Sequence, residues 1–397
     1  MVTNAVLFLS AISHFVAATL LLALANWAGL IPWRRAANAH WTERARLLWP
    51  VRFTSAISLL VVPLLLNEVH GFLFPNPATT WITWTIWMCN GLAGFLGALL
   101  GCYPLDRQIF PRLDFRNWRH QMIAFGGVRF GVWIILVAAV VLMPENFGWK
   151  MLLVAAGYLL LHGLFVWGLF LRYLRLVKFL KPAGPRLRQI VDATTAKMGG
   201  VKVRAAWQLG GSLANAFVFP TTRELVFSER ALEILADEEV AAVCAHEVAH
   251  LKESKVILAA RLLGSLAVFP LIFINPLFHW LGLGGLLLPY LLMLVLLRLT
   301  KWLSQRMEKR ADTLALQEQV NEGVYARALE KLYRENQSPA VNVNNRQTHP
   351  HLYDRMVAAG LTPDFPRPAR PKRLTLIGWM FILVFCLFLV LEVVLDH

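Results

Sequence analysis

Long apolar blocks separated by short polar segments dominate the chain. Their lengths predict helices that cross a membrane. Residues 1–31 carry no charged side chain, nor do 81–103 and 151–171, and 122–143 carry only Arg129. About twenty such residues span a bilayer. Residues 256–274 and 286–297 form a further pair, broken by Asn275-Pro276 and by 282–285, and residues 374–391 close the chain. The shortest block, 53–66, contains Pro63 and is extended by 72–74. The pattern predicts about eight transmembrane helices. The first block lacks a basic start and is too long for a signal-peptide core, so it reads as a span.

Between the fifth and sixth blocks the period changes. Residues 201–207, 216–219 and 224–227 read as short strands, separated by Gly210-Gly211 and by Pro220-Thr221-Thr222. Helices are predicted over 229–235 and from Asp237, where Asp237, Glu238 and Glu239 suit the positive end of a helix dipole. Lys181-Pro182-Ala183-Gly184-Pro185 breaks the basic extension of the fifth helix, residues 335–351 are polar and loop-like, and four prolines stiffen 362–372. The predicted class is mainly α: a polytopic membrane helical bundle carrying an extramembrane domain with a small β-sheet. The expected divisions are a five-span region at 1–175, a first half-domain at 176–255, a two-span hairpin at 256–303, a second half-domain at 304–372 and a last span at 373–397. Within the third span, Gly97 and Gly101 set a small-xxx-small face for close helix contact.

At 57% hydrophobic and 16% charged, the composition excludes an ordinary soluble domain. A net charge of +15 suggests nucleic acid until the basic residues are placed. Arg34, Arg35, Arg44, Arg46 and Arg52 follow the first span, and Arg107, Arg112, Arg116 and Arg119 the third. Arg172, Arg175, Lys178, Lys181, Arg186 and Arg188 follow the fifth, whereas 67–80, 144–149 and 275–285 contain no Lys or Arg. This alternation obeys the positive-inside rule and puts the amino terminus outside and residues 176–255 and 304–372 in the cytoplasm. The basic excess is therefore topological, and no nucleic-acid partner is expected. The four cysteines make no disulfide framework.

One stretch carries chemistry. In His246-Glu247-Val248-Ala249-His250 the histidines are four apart, so on a helix both imidazoles reach one metal ion. Glu247 is then placed to take a proton from an activated water. A catalytic zinc needs a third protein ligand. No Asp or Glu occurs between Ser254 and Met307; the first is Glu308, followed one turn later by Asp312. That pair fits a ligand and a carboxylate that orients a ligating histidine. Glu253 competes as third ligand, but it shares a helix with both histidines, which makes a tetrahedral arrangement awkward; a solvated turn residue is the expected role. Cys244 points away from the histidine face and is expected to pack in the core. His14 and His162 are expected to be hydrogen-bonded interior histidines, and Arg261 to snorkel from the inner end of its span.

Together these residues resemble the integral-membrane zinc metalloproteases of the CAAX-prenyl-endopeptidase and HtpX type. Asn215-Ala216-Phe217 is similar to the family's Asn-Ala-Phe strand, residues 239–247 to its zinc helix, Glu308 and Asp312 to its Glu-x-x-x-Asp element, and Thr348-His349-Pro350 with Arg355 to its late motif. The resemblance covers about 190–356 and implies a gluzincin-type protease domain at the cytoplasmic membrane face. It implies one zinc per chain held by His246, His250 and Glu308, with Glu247 as general base and Asp312 behind the ligands. It further implies that His349 and Arg355 face the tetrahedral intermediate, with His351 a substitute for His349. Asn215 and Ala216 would pair with an extended substrate as an added strand. The implied partners are a membrane-associated protein or peptide substrate and the lipid bilayer, in a bacterial inner membrane or an ER-type membrane. Five spans before the motif fit the prenyl-endopeptidase branch; an eighth span departs from it. A site-2-type intramembrane protease would need a later Asp-Gly pair, which the chain lacks. An idle zinc scaffold or chaperone would need four protein ligands and no Glu247.

Overall fold

The computed structural model describes residues 2–74, 80–343 and 350–395. Two compact units divide the chain: the first takes its described residues from 1–115, 337–343 and 365–397, the second from 116–336 and 344–364. Six helices among the described residues have the length and apolarity to cross a membrane, and a seventh candidate is bent between Val128 and Phe130. The C-terminal apolar stretch Leu376–Phe388 is shorter. The eight expected spans thus appear as six candidates, one bent pair and one shorter apolar helix.

In the first unit α1 (Val2–Gly29) is followed by the short α2 (Ile31–Arg35), then α3 (Trp41–Leu73) and α4 (Thr80–Ile109). The closest approach is between α1 and α4. A Cβ on Gly97 would stand 2.1 Å from the Phe15 carbonyl oxygen, and one on Gly101 2.7 Å from that of Thr19. Only glycine allows this spacing, and the Thr19 hydroxyl uses it to donate to the Gly97 carbonyl at 3.0 Å. The weakest predicted span is a continuous 33-residue helix running through Pro50 and Pro63. The C-terminal helix Leu376–Leu395 packs on α3, where the Thr54 and Thr375 hydroxyls meet at 3.0 Å. His14 is buried and bonds the Ser10 carbonyl at 2.8 Å.

The second unit begins with α5 (Phe115–Leu142), α6 (Trp149–Leu164) and α7 (Phe170–Leu176). Between α6 and α7 the helix widens into a π turn, Phe165–Leu169, where Gly168 takes φ +99°. A side chain there would be strained, so the glycine permits the break. His162 on α6 bonds Ser265 Oγ at 2.9 Å. The chain then forms β1 (Leu180–Pro182), α8 (Pro185–Lys197), β2 (Ala205–Leu209), β3 (Ala216–Phe219) and β4 (Glu224–Ser228). The sheet order is β1-β2-β4-β3, with β2 and β4 parallel and the other pairs antiparallel. Two expectations are corrected. The basic break at Lys181-Pro182 is itself a strand, tolerated because β1 is an edge. The strand expected at 201–207 lies at Ala205–Leu209, because its span is set by pairing from Glu224 to Ser228.

Next come α9 (Glu229–Ile234), α10 (Asp237–Leu251), α11 (Lys255–Ser265) and, past a short 3-10 turn, α12 (Ile274–Leu281). A 36-residue helix, α13 (Leu283–Glu318), runs from its apolar membrane stretch directly into the segment bearing Glu308 and Asp312. The amphipathic α14 (Val324–Glu335) and α15 (Leu352–Ala358) complete the unit. The expected break of the sixth span at Asn275-Pro276 does not occur, since Pro276 sits in the first turn of α12, where its missing N–H costs nothing. The core of this unit joins Leu225 and Phe227 of the sheet, Leu187 and Val191 of α8, and Val240, Val243, Cys244 and Val248 of α10.

Candidate active site

Burial on nearly every side of α10 fixes the site. Its amino-terminal turn is closed by Glu239, whose carboxylate accepts the Ala236 N–H at 2.9 Å and the Lys331 ammonium at 2.8 Å. The small residues Ala242, Ala245 and Ala249 let neighbouring elements approach. Cys244 is buried in the core, away from the histidines, and burial pushes its thiol pKa up to about 12, in keeping with a packing role.

His246 and His250 turn toward α13, and both are buried with Glu308. His246 Nε2 lies 3.4 Å from Glu308 Oε2, and His250 Nε2 3.6 Å from Glu308 Oε1. The three ligating atoms all fall within 4.8 Å of one another. Zinc ligands at 2.0–2.1 Å around a tetrahedron stand about 3.4 Å apart, so the side chains present fit a zinc ion. The other ring nitrogens support the same reading. His246 Nδ1 is 3.0 Å from Asp312 Oδ1 and 2.7 Å from the Tyr325 hydroxyl, and His250 Nδ1 is 2.8 Å from Glu253 Oε1. Each Nδ1–H therefore donates to an oxygen, which leaves both Nε2 lone pairs for a metal. Burial disfavours a charged His246, but the hydrogen bonds to Asp312 and Glu308 outweigh it and raise the pKa to about 9. The pocket favours a cation. Glu247 is half-buried beside His246.

Behind His246 stands a closed set of buried polar groups. Arg355 is bidentate on Asp312, with Nε at 2.9 Å from Oδ2 and Nη2 at 2.6 Å from Oδ1. Arg355 Nη2 also donates to the Tyr325 hydroxyl at 2.7 Å, and that hydroxyl donates to Asp312 Oδ1 at 2.8 Å. Arg355, expected to face the tetrahedral intermediate, has its guanidinium bonded to Asp312, the carboxylate at Nδ1 of His246. The expectation for Glu253 is corrected. Its side chain is only 3% exposed and its Oε1 accepts from His250 Nδ1. Arg261 reaches it at 3.4 Å instead of snorkelling.

His349 lies outside the described residues; His351 is buried at the start of α15. Strand β3 is an edge, as strand addition requires, but its register changes which residues are available. The Asn215 N–H bonds Ser228 Oγ at 2.9 Å and its carbonyl accepts the Ser228 N–H at 2.8 Å. Asn215 therefore spends its main chain on β4. By antiparallel alternation Ala216 and Val218 direct theirs to the free edge. Tyr325 had no sequence signal beyond its place on an amphipathic segment after Gly323.

Helices of membrane length and a buried His-His-Glu donor set define a polytopic membrane protein with a metal-type centre. Residues 184–360 match the family model "Peptidase family M48", and the chain carries that family's domain, as its motifs implied. The fold is similar to that in "Crystal Structure of S. mikatae Ste24p", with a TM-score of 0.54 and 14% identity over 88% of this chain and 98% of that one. No curated protein sequence matches the chain. The chain is thus a multi-pass membrane protein with a metalloprotease domain.

Proposed function

We propose that the protein is a zinc metalloendopeptidase that cuts membrane-associated protein or peptide substrates at the cytoplasmic face. The observation that carries this reading is the convergence of His246 Nε2, His250 Nε2 and the Glu308 carboxylate beside Glu247. Zinc bound there would supply Lewis-acid polarisation and lower the pKa of a bound water toward neutrality. His246, His250 and Glu308 hold the ion, while Asp312 and Arg355 keep the His246 ring in one tautomer and orientation. Glu247 accepts the proton of the attacking water and returns it to the leaving amine. Ala216 and Val218 pair with an extended substrate, and the Asn215 side chain stands at the entry to that edge. The resemblance assigns stabilisation of the developing oxyanion to His349.

Chelation tests the metal requirement. Peptide cleavage by purified protein should be lost with a strong chelator and return on adding about one equivalent of zinc; cleavage that persists in metal-free protein would sink the reading. The cytoplasmic placement rests on the alternating basic segments. In a cysteine-free background, Glu145→Cys should react with an impermeant maleimide in sealed right-side-out vesicles, and Lys197→Cys only after permeabilisation. The reverse pattern would invert the topology.

A further inference from the structure

The two histidines are each backed by a carboxylate with an arginine behind it, but the two arrangements differ. His246 leans on Asp312, which is braced by both Arg355 and Tyr325. His250 leans on Glu253, which among the described residues is braced by Arg261 at 3.4 Å. We propose that Glu253 is a positioning residue for His250 that sets the metal affinity of the site, and that Arg261 ties it to the membrane helix that follows. This rests on the metal-centre reading above.

Local structure places Glu253 for the task. Helix α10 ends at Leu251 with Lys252 as its cap, whose N–H bonds the Ala249 carbonyl at 3.1 Å. Ser254 caps the next helix, its hydroxyl accepting the Ile257 N–H at 3.4 Å. Glu253 is the single residue between two caps, so its backbone is fixed from both sides and its side chain folds back under His250. A carboxylate buried this far is costly unless paired. Arg261, on the span Lys255–Leu281 with a side chain 25% exposed, brings the opposing charge to it. Glu253 Oε1 sits at Nδ1 of His250, while Glu308 sits at Nε2, so Glu253 orients the ring and does not share the metal. The weaker bracing makes the His250 arm the softer of the two.

The test is zinc affinity by competition with a chromophoric chelator, with apo-protein thermal unfolding and the visible spectrum of the cobalt-substituted protein measured alongside. Glu253→Ala should weaken zinc roughly 10- to 100-fold and alter the cobalt spectrum, with apo unfolding little changed. Glu253→Gln keeps an oxygen that accepts from Nδ1–H and should restore most of the affinity. Arg261→Met should shift affinity in the same direction as Glu253→Ala, but less. Wild-type affinity and spectrum in Glu253→Ala would overturn the proposal, as would a Gln variant as weak as the Ala one, or an affinity loss matched by collapse of apo stability. His250→Ala separates the two levels. If it abolishes zinc uptake while Glu253→Ala does nothing, only the positioning role fails; if it too leaves uptake intact, the metal centre fails and this proposal with it.

Discussion

Glu247→Gln is expected to keep its zinc and its fold while peptide cleavage falls by a factor on the order of a thousand. The reason is positional. Residues 246 and 250 are buried on the face of α10 that meets α13, and residue 247 is half-buried next to the first of them. It is the acidic residue within the motif, and its charge acts on His246. Glutamine preserves size and most hydrogen bonding but cannot accept the proton of the attacking water. None of the hydrogen bonds that hold His246 and His250 at Nδ1 involves Glu247, so metal retention should be unaffected. Rates on a peptide that the wild type cleaves, with zinc content measured on the same preparations, give the answer. A variant that cleaves at the wild-type rate would remove Glu247 from the role of base. Full function of the variant in cells would favour an idle scaffold.

The spacing of His246 and His250 was legible because a helix leaves few ways to bring residues four apart to one ion, and α10 is such a helix. The acid-free interval from 254 to 307 was legible for a related reason: membrane spans exclude carboxylates, so the first one past the hairpin stands out. The strand at Ala216–Phe219 was readable from its own apolar residues and flanking turns, whereas the one expected at 201–207 lies at Ala205–Leu209 because its partner Glu224–Ser228 sets its span. Of the polar groups supporting the ligands, Asp312 was legible one turn past Glu308, and the others were not. Tyr325 comes from a separate helix, and its hydroxyl reaches His246 across 79 positions of sequence. Glu253 looked like a turn residue because its neighbours Lys252 and Ser254 are polar, and only the two helix caps turn its side chain inward. Arg355 carried a motif signal, but a signal of importance does not say on which side of an imidazole a guanidinium lies.

Those supports bear on which carboxylate can serve as third ligand. Besides Glu247, three acids stand at the histidines, each at a different station: Glu308 at the Nε2 atoms of both rings, Asp312 at Nδ1 of His246 and Glu253 at Nδ1 of His250. A carboxylate at Nδ1 is separated from the metal position by the width of the ring. It strengthens a ligand without being one.

Glu308→Ala is therefore expected to bind zinc about a hundredfold more weakly or worse and to lose measurable turnover. The magnitude follows from the worth of a ligand. Structural zinc sites with four ligands bind with roughly 10–16 kcal/mol, so one ligand accounts for roughly 3 kcal/mol, or about two powers of ten. No neighbour can take its place. Asp312 is one turn further along α13 and is locked by Arg355 and Tyr325, and moving it would strip a buried guanidinium of its partner. Glu253 would have to release His250 and leave Arg261 unpaired within a membrane span. Glu308→Asp, one methylene shorter, should recover part of the affinity, because the carboxylate remains on the same helix face. Metal analysis of the two variants after dialysis against a weak chelator, beside wild type and Glu253→Ala, distinguishes the stations. Undiminished zinc in Glu308→Ala, with complete loss in Glu253→Ala, would move the third ligand to Glu253.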